Sequence, residues 1–263
     1  MNRNHPLLPV AEEAATTAAR WLDRKGRRLS ARRYKASGEE VTDADVGVQT
    51  LVTEFLRART PDIPLVGEES VQEGEAGTDG RVPSRCWLLD PIDGTMNFTR
   101  GAPFYSVSLA LVEDGTPVLG VINAPALKRH WTTSGPCAQD GTPSDVGHLP
   151  NAVVGVTGTS SGDPGTTHAF LGRLHTDAYR VRMQGAMSMD LVGVAEGWLD
   201  ACVCLGPQPW DVAAGIALVA SRGGTVLGAD GDAFTWNSPL LVAGPRELAR
   251  ELIDHWTATD ATT

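Results

Sequence analysis

The residues Cys86-Trp87-Leu88-Leu89 form an unbroken apolar run that ends at Asp90-Pro91. A strand with apolar side chains on both faces must be covered on both sides, as in the central sheets of α/β proteins. This run therefore predicts a sheet that is enclosed by helices. A chain of 263 residues is long enough to bury such a layered core.

Segments of helical and strand-like periodicity alternate around this run. Apolar residues recur at helical spacing over 10–29, and Thr42-Asp43 begins a second helix. Two alternating segments flank Asp114-Gly115, which is a strong hairpin signal. Further strands are predicted at 63–66, 152–156, 179–183, 201–205 and 240–243, and further helices at 169–174, 187–196, 212–221 and 245–257. The mixture of hairpins and crossovers favours a layered α/β architecture with mixed sheets.

The charge balance and the cysteines constrain partners and location. Lys and Arg total 22 and Asp and Glu total 32, which gives a formal net charge of −10. Such a surface repels phosphate backbones, so we expect no nucleic-acid partner and interpret the basic segment 27–35 as a solvated helix end and loop. No apolar stretch reaches ~18 residues, so we expect no membrane partner. The absence of a secretory pattern and of a C-x-x-C pair favours the cytoplasm.

Acidic residues lie at the predicted ends of strands and the predicted beginnings of helices. Five of them come from four separated segments: Asp45, Glu68, Asp90 with Asp93, and Asp211. Open α/β sheets build their sites at strand ends. Hard oxygen ligands without neighbouring His or Cys suit Mg²⁺ rather than Zn²⁺ or copper. We interpret the set as a magnesium site.

The segment from Asp90 to Gly94 is suited to hold metal ions. Pro91 fixes the backbone after Asp90, and Gly94 permits a tight turn. The loop can therefore direct the carboxylates of Asp90 and Asp93, with the carbonyl of Ile92, toward ions ~4 Å apart.

The residues that follow supply groups for phosphate and water. The backbone N–H groups of Gly94 and Thr95 can hold a phosphate oxygen. The Thr95 hydroxyl can orient a water molecule, Glu68 can accept its proton, and Asp45 can hold the Thr95 hydroxyl. These parts together describe metal-assisted attack of water on a phosphomonoester.

Each acidic residue also has an ordinary structural interpretation. Asp45 and Asp211 lie where helix N-termini favour acidic side chains. Asp-Pro and Asp-Gly pairs are common turn formers. The site hypothesis rests on the whole set, because turn chemistry alone does not explain carboxylates at element ends in four separated segments.

Several motifs resemble those of the inositol monophosphatase family. Residues Trp87 to Phe98 (WLLDPIDGTMNF) resemble its main signature, and Gly67 to Ser70 resembles its upstream acidic motif. Trp210 to Gly215 is similar to its second signature, and Val41 to Asp45 to its early V-T-x-x-D segment. Order and spacing agree over roughly residues 10–250.

The resemblance implies a fold and an activity. The fold is a five-layer αβαβα sandwich with mixed sheets over residues 1–263, with approximate halves at 1–145 and 146–263. The activity is lithium-sensitive hydrolysis of a small phosphate ester with Mg²⁺, two or three ions being bound. The family usually forms homodimers.

The resemblance also implies roles for matching residues. The metal ligands would be Glu68, Asp90, the Ile92 carbonyl, Asp93 and Asp211. Glu68 and Thr95 would prepare the water, with Asp45 behind Thr95. Substrate would contact Asp93, Gly94, Thr95, Gly185, Ala186, Cys204 and Asp211.

Two positions depart from the family pattern and leave the substrate open. Ala186 lacks the hydroxyl that the family often has there, and Cys204 stands where inositol-specific members place a Glu. A thiol is a poor acceptor for hydroxyl hydrogen bonds, so binding of a polyol could lose ~1–3 kcal/mol. Candidates are an inositol monophosphate or related cyclitol or sugar phosphate, histidinol phosphate, a 3′-phosphonucleotide, fructose bisphosphate, or an ester of specialised metabolism. The alternative from another class is a catalytically silent binding or regulatory protein, which the complete acidic set disfavours.

Overall fold

The computed structural model describes residues 5–35, 40–69, 82–135, 144–158 and 164–260. The chain divides into two compact units, one of Met1–Gly135 with Pro209–Leu218 and one of Pro136–Gln208 with Val219–Thr263. Each unit contains a five-stranded sheet with both parallel and antiparallel neighbours, which confirms the predicted α/β class with mixed sheets. That residues 1–263 act as a single unit of the family, with approximate halves at 1–145 and 146–263, stays a prediction.

The first unit contains two long helices and most of the predicted hairpins. In chain order its elements are α1 (Leu8–Lys25), β1 (Arg33–Tyr34), β2 (Glu40–Val41), α2 (Asp43–Arg59), β3 (Leu65–Gly67), β4 (Arg85–Asp93), α3 (Thr95–Arg100), β5 (Ser106–Glu113), β6 (Thr116–Ala124) and β7 (Arg129–Thr132). The sheet order is β3-β4-β5-β6-β7, and only β3 and β4 are parallel. One-turn 3-10 helices span Gly26–Arg28 and Pro125–Leu127.

Helices α1 and α2 cover this sheet with one apolar core. The buried face of α1 is mostly alanine, including Ala14 and Ala18, and α2 contributes Val48 and Val52. These residues pack with Trp87, which is fully buried on β4. Each fully buried Val or Leu side chain contributes roughly 1.5–3 kcal/mol, so this face accounts for a large part of the stability of the unit.

Strand β4 continues farther than its sequence predicts. We expected the strand to end at Asp90-Pro91, but it extends to Asp93. Its pairing with β5 shifts between Asp90, which lies opposite Ser108, and Asp93, which lies opposite Ser106. Pro91 has no N–H to donate to a neighbouring strand, which accounts for an irregularity at this point. The acidic residues therefore lie on the strand itself.

The predicted hairpin between β5 and β6 is confirmed. Asp114 and Gly115 join the strands with φ of 49° and 74°, so both have left-handed backbone conformation. A two-residue turn of this kind matches the twist of the strands, and Asp-Gly is a preferred sequence for it.

The second unit alternates strands and helices as predicted. Its elements are β8 (Val153–Gly158), α4 (Pro164–Asp177), β9 (Arg180–Arg182), α5 (Met187–Glu196), β10 (Ala201–Leu205), β11 (Thr225–Gly228), β12 (Leu240–Gly244) and α7 (Arg246–Asp260), with a 3-10 turn at Leu149–Asn151. The helix α6 (Pro209–Ser221) begins in the first unit and ends in the second. The sheet order is β11-β12-β10-β8-β9.

Helices α4 and α7 cover one core of the second unit. The Phe170 and Trp256 rings meet edge to face with centroids 5.4 Å apart. Cys202 and Cys204 are buried on β10, and neither forms a disulfide bond among the described residues. The polar, glycine-rich segment 71–84, whose sequence predicts a surface loop, lies mostly outside the described residues. Among the described helices, none has the length and apolar character needed to cross a membrane.

Candidate active site

The five predicted carboxylates all belong to the first unit. Asp90 and Asp93 are buried on β4, and Asp45 is buried in the first turn of α2. Glu68 directly follows β3, and Asp211 lies in the first turn of α6. Strands β3 and β4 are parallel, and Gly67 pairs with Leu89. Glu68 and Asp90 are the residues that directly follow this pair.

The electrostatics of Asp90 show that these carboxylates lie close together. Burial raises the pKa of Asp90 well above its ordinary value, and the negative charges of Glu68, Asp93, Asp211 and Asp45 raise that pKa further. The Asp90 carboxylate is 3% exposed and accepts a 2.9 Å hydrogen bond from the backbone N–H of Ile92. A buried group of like charges is unfavourable without a compensating cation.

Asp45 connects the beginning of α2 to Thr95. Its Oδ2 accepts hydrogen bonds from the backbone N–H and the hydroxyl of Thr42, at 2.8 and 2.6 Å, in a capping box. Its Oδ1 lies 3.1 Å from the Thr95 hydroxyl, which also lies 2.9 Å from the Ile92 carbonyl oxygen. Burial raises the pKa of Asp45 to about 6 although the Thr42 hydrogen bonds oppose the shift. Asp45 therefore has both the capping position that its sequence suggested and a contact with Thr95.

The turn after Asp93 depends on Gly94. Its φ of 87° is left-handed, as the tight-turn hypothesis requires. Its carbonyl accepts the backbone N–H groups of Asn97 and Phe98 at 2.8 and 3.0 Å, which starts α3 at Thr95.

Lys35 contradicts the interpretation of residues 27–35 as a solvated segment. Its side chain is 5% exposed, and its Nζ lies 2.5 Å from Glu68 Oε1 and 2.7 Å from Glu69 Oε1. Burial opposes the charged form of Lys35, but the attraction of Glu68 and Glu69 raises its pKa above the ordinary value. Burial also raises the pKa of Glu68 to about 7, despite the ammonium beside it. Glu68 and Glu69 thus both bind Lys35, the last residue of the basic segment 27–35. No local sequence pattern indicates these contacts.

Gln49 positions the acidic residues after β3, and the sequence hypothesis missed it. Its buried side-chain oxygen accepts the backbone N–H of Glu69 at 3.0 Å. Gly67 makes room for that amide, because a Cβ there would lie 2.3 Å from Gln49 Oε1. Gln49 is a polar residue on the mainly apolar, buried face of α2. Its polarity at such a position is the one signal in the sequence that marks it.

Gly120 makes room for the backbone of α6, as Gly67 makes room for the Gln49 side chain. A Cβ on this β6 residue would lie 2.3 Å from the backbone oxygen of Ala214, one turn after Asp211. The helix that carries Asp211 therefore contacts the strand backbone directly. A glycine inside a strand pattern is a signal for such a close approach.

The donors at this site fit a hard divalent cation. They are carboxylate oxygens and the Ile92 carbonyl, without His or Cys, which is the set that Mg²⁺ prefers. Across the described ranges, no three Asp, Glu, His or Cys side chains are arranged around one point as ligands of a metal ion. The ammonium of Lys35 is instead the cation beside Glu68. The surplus of buried negative charge around Asp90 still matches a site for divalent cations.

The other three predicted substrate residues belong to the second unit. Gly185 has a left-handed φ of 78°, and Ala186 is the N-cap residue of α5 without a side-chain cap. Cys204 is fully buried on β10, where it pairs with Thr157 of β8.

Comparison with known proteins identifies the family. The family model described as "Inositol monophosphatase family" matches residues 3–260. A protein of Mycobacterium tuberculosis named probable inositol 1-monophosphatase ImpA is 34% identical over 267 residues, covering 97% of this chain and 96% of its own. The chain belongs to the inositol monophosphatase family. The histidinol-phosphatase of the same organism is 36% identical to this family member over 202 residues, covering 73% of this chain and 75% of its own.

Solved structures of the family share the fold. The extragenic suppressor protein SuhB of Bartonella henselae has a TM-score of 0.83 at 27% identity, covering 96% of this chain and 98% of its own. An inositol monophosphatase of Thermotoga maritima has a TM-score of 0.81 at 25% identity, covering 95% and 96%. This inositol monophosphatase family member is thus a phosphatase, a hydrolase of phosphoric monoesters, as its sequence predicts.

Proposed function

We propose that this phosphatase hydrolyses the monophosphate of a small polar metabolite, an inositol monophosphate or a related cyclitol or sugar phosphate, with Mg²⁺ at the Asp90 site. The observation that carries the proposal is the burial of Asp90 among Glu68, Asp93 and Asp211. Such a group is stable at neutral pH only if protons or cations offset its charge. The proposed ligands are Glu68, Asp90, the Ile92 carbonyl, Asp93 and Asp211, for two or three ions.

The chain's own residues prepare the reactants. Mg²⁺, when bound, supplies Lewis acidity to the phosphoryl oxygens and lowers the pKa of water. The Thr95 hydroxyl, held by Asp45 and the Ile92 carbonyl at 3.1 and 2.9 Å, orients the attacking water. Glu68 accepts the proton of that water as the general base. The N–H groups of Gly94 and Thr95 donate to the phosphate oxygens.

The leaving group decides which substrate is hydrolysed. We propose that Asp93 and Asp211 contact it, and the family resemblance assigns substrate contacts to Gly185, Ala186 and Cys204 as well. Cys204 offers no carboxylate to polyol hydroxyls. The second candidate is histidinol phosphate, which is favoured by the 36% identity to a protein named histidinol-phosphatase.

A substrate panel tests the proposal. Inositol 1-phosphate, histidinol phosphate, a 3′-phosphonucleotide, fructose 1,6-bisphosphate and several sugar phosphates are assayed for phosphate release with Mg²⁺ and with chelator. We expect magnesium-dependent hydrolysis that prefers one cyclitol or sugar monophosphate, and Asp93→Asn and Asp211→Asn to abolish it without unfolding the chain. Hydrolysis that is unchanged by chelator or by both substitutions would contradict the metal roles. Folded protein without any turnover would favour the binding-protein alternative.

The proposed assembly follows the family resemblance, and the proposed location follows the sequence signals and the cysteines. We propose a cytoplasmic homodimer in which residues 1–263 act as one lithium-sensitive unit. Cys86, Cys202 and Cys204 are buried and form no disulfide bond among the described residues, which supports a reducing compartment. Light scattering of the purified chain tests the dimer, fractionation tests the location, and loss of activity in lithium chloride but not in sodium chloride tests the sensitivity.

A further inference from the structure

The first unit carries a cavity that no proposed site residue lines. It measures about 400 Å³ and lies between α1 and α2, where it is lined by Thr17, Arg20, Trp21, Arg24, Lys25 and Leu51. Cavities of about 300–1,000 Å³ are of the size that accepts a small organic molecule.

Three cations border this cavity without anionic partners. Arg20, Arg24 and Lys25 are exposed, and none of them forms an ion pair with any described residue. Other arginines of the same unit do find carboxylates, as Arg59 does with Glu13 and Arg100 with Glu40. The chain has 32 acidic and 22 basic residues, so a group of unpaired cations is an exception to its overall charge. Like charges at helical spacing repel one another, and a bound anion would relieve that repulsion.

Trp21 gives the cavity a fixed aromatic wall. Its side chain is half-buried, and a Cβ on Gly47 of α2 would lie 2.4 Å from Cη2 of the indole. The indole ring therefore packs directly against the backbone of α2 at Gly47, the one residue of this helix without a side chain. The Lys25 ammonium lies 5.8 Å from the ring centroid.

We propose that this cavity binds a small aromatic anion, an aryl or nucleoside phosphate, as a ligand site separate from catalysis. The aromatic ring packs on Trp21 and Leu51. The phosphate binds the guanidinium groups of Arg20 and Arg24, whose planar forks suit its oxygens. An acidic protein segment would match the charge, but a cavity with one fixed aromatic wall fits a compact molecule better.

The test uses naphthalene-1-phosphonate, which has a ring and a dianion but no ester bond to hydrolyse. It is titrated calorimetrically into the full chain in EDTA, so that the Asp90 site holds no metal ion to bind the phosphonate. We expect one site per chain, weakened about tenfold or more in the double variant Arg20→Ala with Arg24→Ala, and weakened in Trp21→Leu. The double variant Arg57→Ala with Arg173→Ala removes the same charge from exposed positions outside the cavity and is expected to bind normally. Trp198→Leu is the matched tryptophan control.

Three further measurements decide between the alternatives. Asp211→Asn is expected to leave the affinity unchanged, and binding that is lost in this variant would assign the probe to the catalytic carboxylates and overturn the proposal. Inorganic phosphate is expected to compete only weakly because it has no ring, and equal competition would overturn the aromatic requirement. Displacement of the probe by a glutamate-rich peptide at lower concentration than by a nucleoside monophosphate would identify a protein partner instead. Absence of saturable binding at millimolar concentration would also refute the site.

Discussion

The hydroxyl of Thr95 lies 3.1 Å from the carboxylate of Asp45, although 50 positions separate the two residues in the chain. The other oxygen of the same carboxylate caps α2 through Thr42. One side chain thus links the beginning of a helix to the residue that we propose to orient the water. Activity and helix stability are coupled at this position.

We predict that Thr95→Val lowers kcat by about 10²-fold or more, because the attacking water loses the group that orients it. The folded state should lose about 1–3 kcal/mol, because the buried Oδ1 of Asp45 is left without its hydroxyl donor. Asp45→Asn should lower kcat similarly and also cost about 1 kcal/mol of stability through the weakened cap. Steady-state kinetics and thermal unfolding of both variants and of the double variant measure the coupling. Thr116→Val, at an exposed position, is the control. Strictly additive losses in kcat would contradict a shared role.

The buried carboxylates predict an unusual dependence of stability on pH in chelator. Burial raises the pKa of Asp45 to about 6 and that of Glu68 to about 7, so the folded state holds protons that the unfolded state releases. The free energy of unfolding should therefore fall as pH rises from about 5 to about 7, at up to about 1.4 kcal/mol per pH unit and group. Lys35 stays charged in this range, because its pKa is raised.

Magnesium should reverse this trend. Cations that bind only the folded state stabilise it by about 2.7 kcal/mol at a hundredfold excess over Kd, and they bind best when the carboxylates are ionised. The melting temperature, measured at several pH values with EDTA and with Mg²⁺, checks both signs. A melting temperature in EDTA that rises over this pH range would refute the electrostatic argument.

Gln49→Leu should impair metal binding without removing a ligand. It leaves the buried N–H of Glu69 without its acceptor, which costs about 1–3 kcal/mol, and it frees the segment that carries Glu68. Gly67→Ala should act in the same direction by displacing the Gln49 amide. The measured quantity is the Mg²⁺ concentration at half-maximal activity, which we expect to rise several-fold. Gly172→Ala is the matched control, since nothing lies within 4 Å of its added Cβ.

Gly120→Ala should be more harmful than an ordinary strand substitution. The added Cβ meets the backbone oxygen of Ala214 at 2.3 Å, and a helix backbone cannot move aside as a side chain can. Displacement of α6 should cost about 1–3 kcal/mol and shift Asp211. We expect a lower melting temperature together with a raised Mg²⁺ requirement, measured in the same assays. A stability loss with normal Mg²⁺ dependence would mean that Gly120 supports packing alone.

Local sequence patterns predicted the parts of the site that depend on local structure. The apolar run before Asp90 predicted a buried strand, and the Thr42-Asp43 start of α2 predicted the position of Asp45 in the first turn. The family resemblance then connected these segments.

The missed features depend on contacts between distant segments. Lys35 reaches Glu68 across 33 positions, and Gln49 reaches Glu69 across 20. The periodicity of apolar residues within one segment does not indicate contacts between residues so far apart in the chain. The end of β4 was placed too early because Pro91 usually interrupts a strand, whereas here the pairing with β5 resumes at Asp93. The strands β1 and β2 have only two residues each, too few for an alternating pattern, and the four-residue strands β7 and β11 do not alternate buried and exposed side chains.

The division of α6 between two units bears on synthesis by the ribosome. When translation has passed residue 135, the nascent chain contains four of the five acids, but Asp211 and the rest of its compact unit follow some 70 residues later. A partly made chain therefore lacks the last acid of its first compact unit. Premature termination anywhere before that residue should yield fragments without phosphatase activity, however well their early helices and strands have formed.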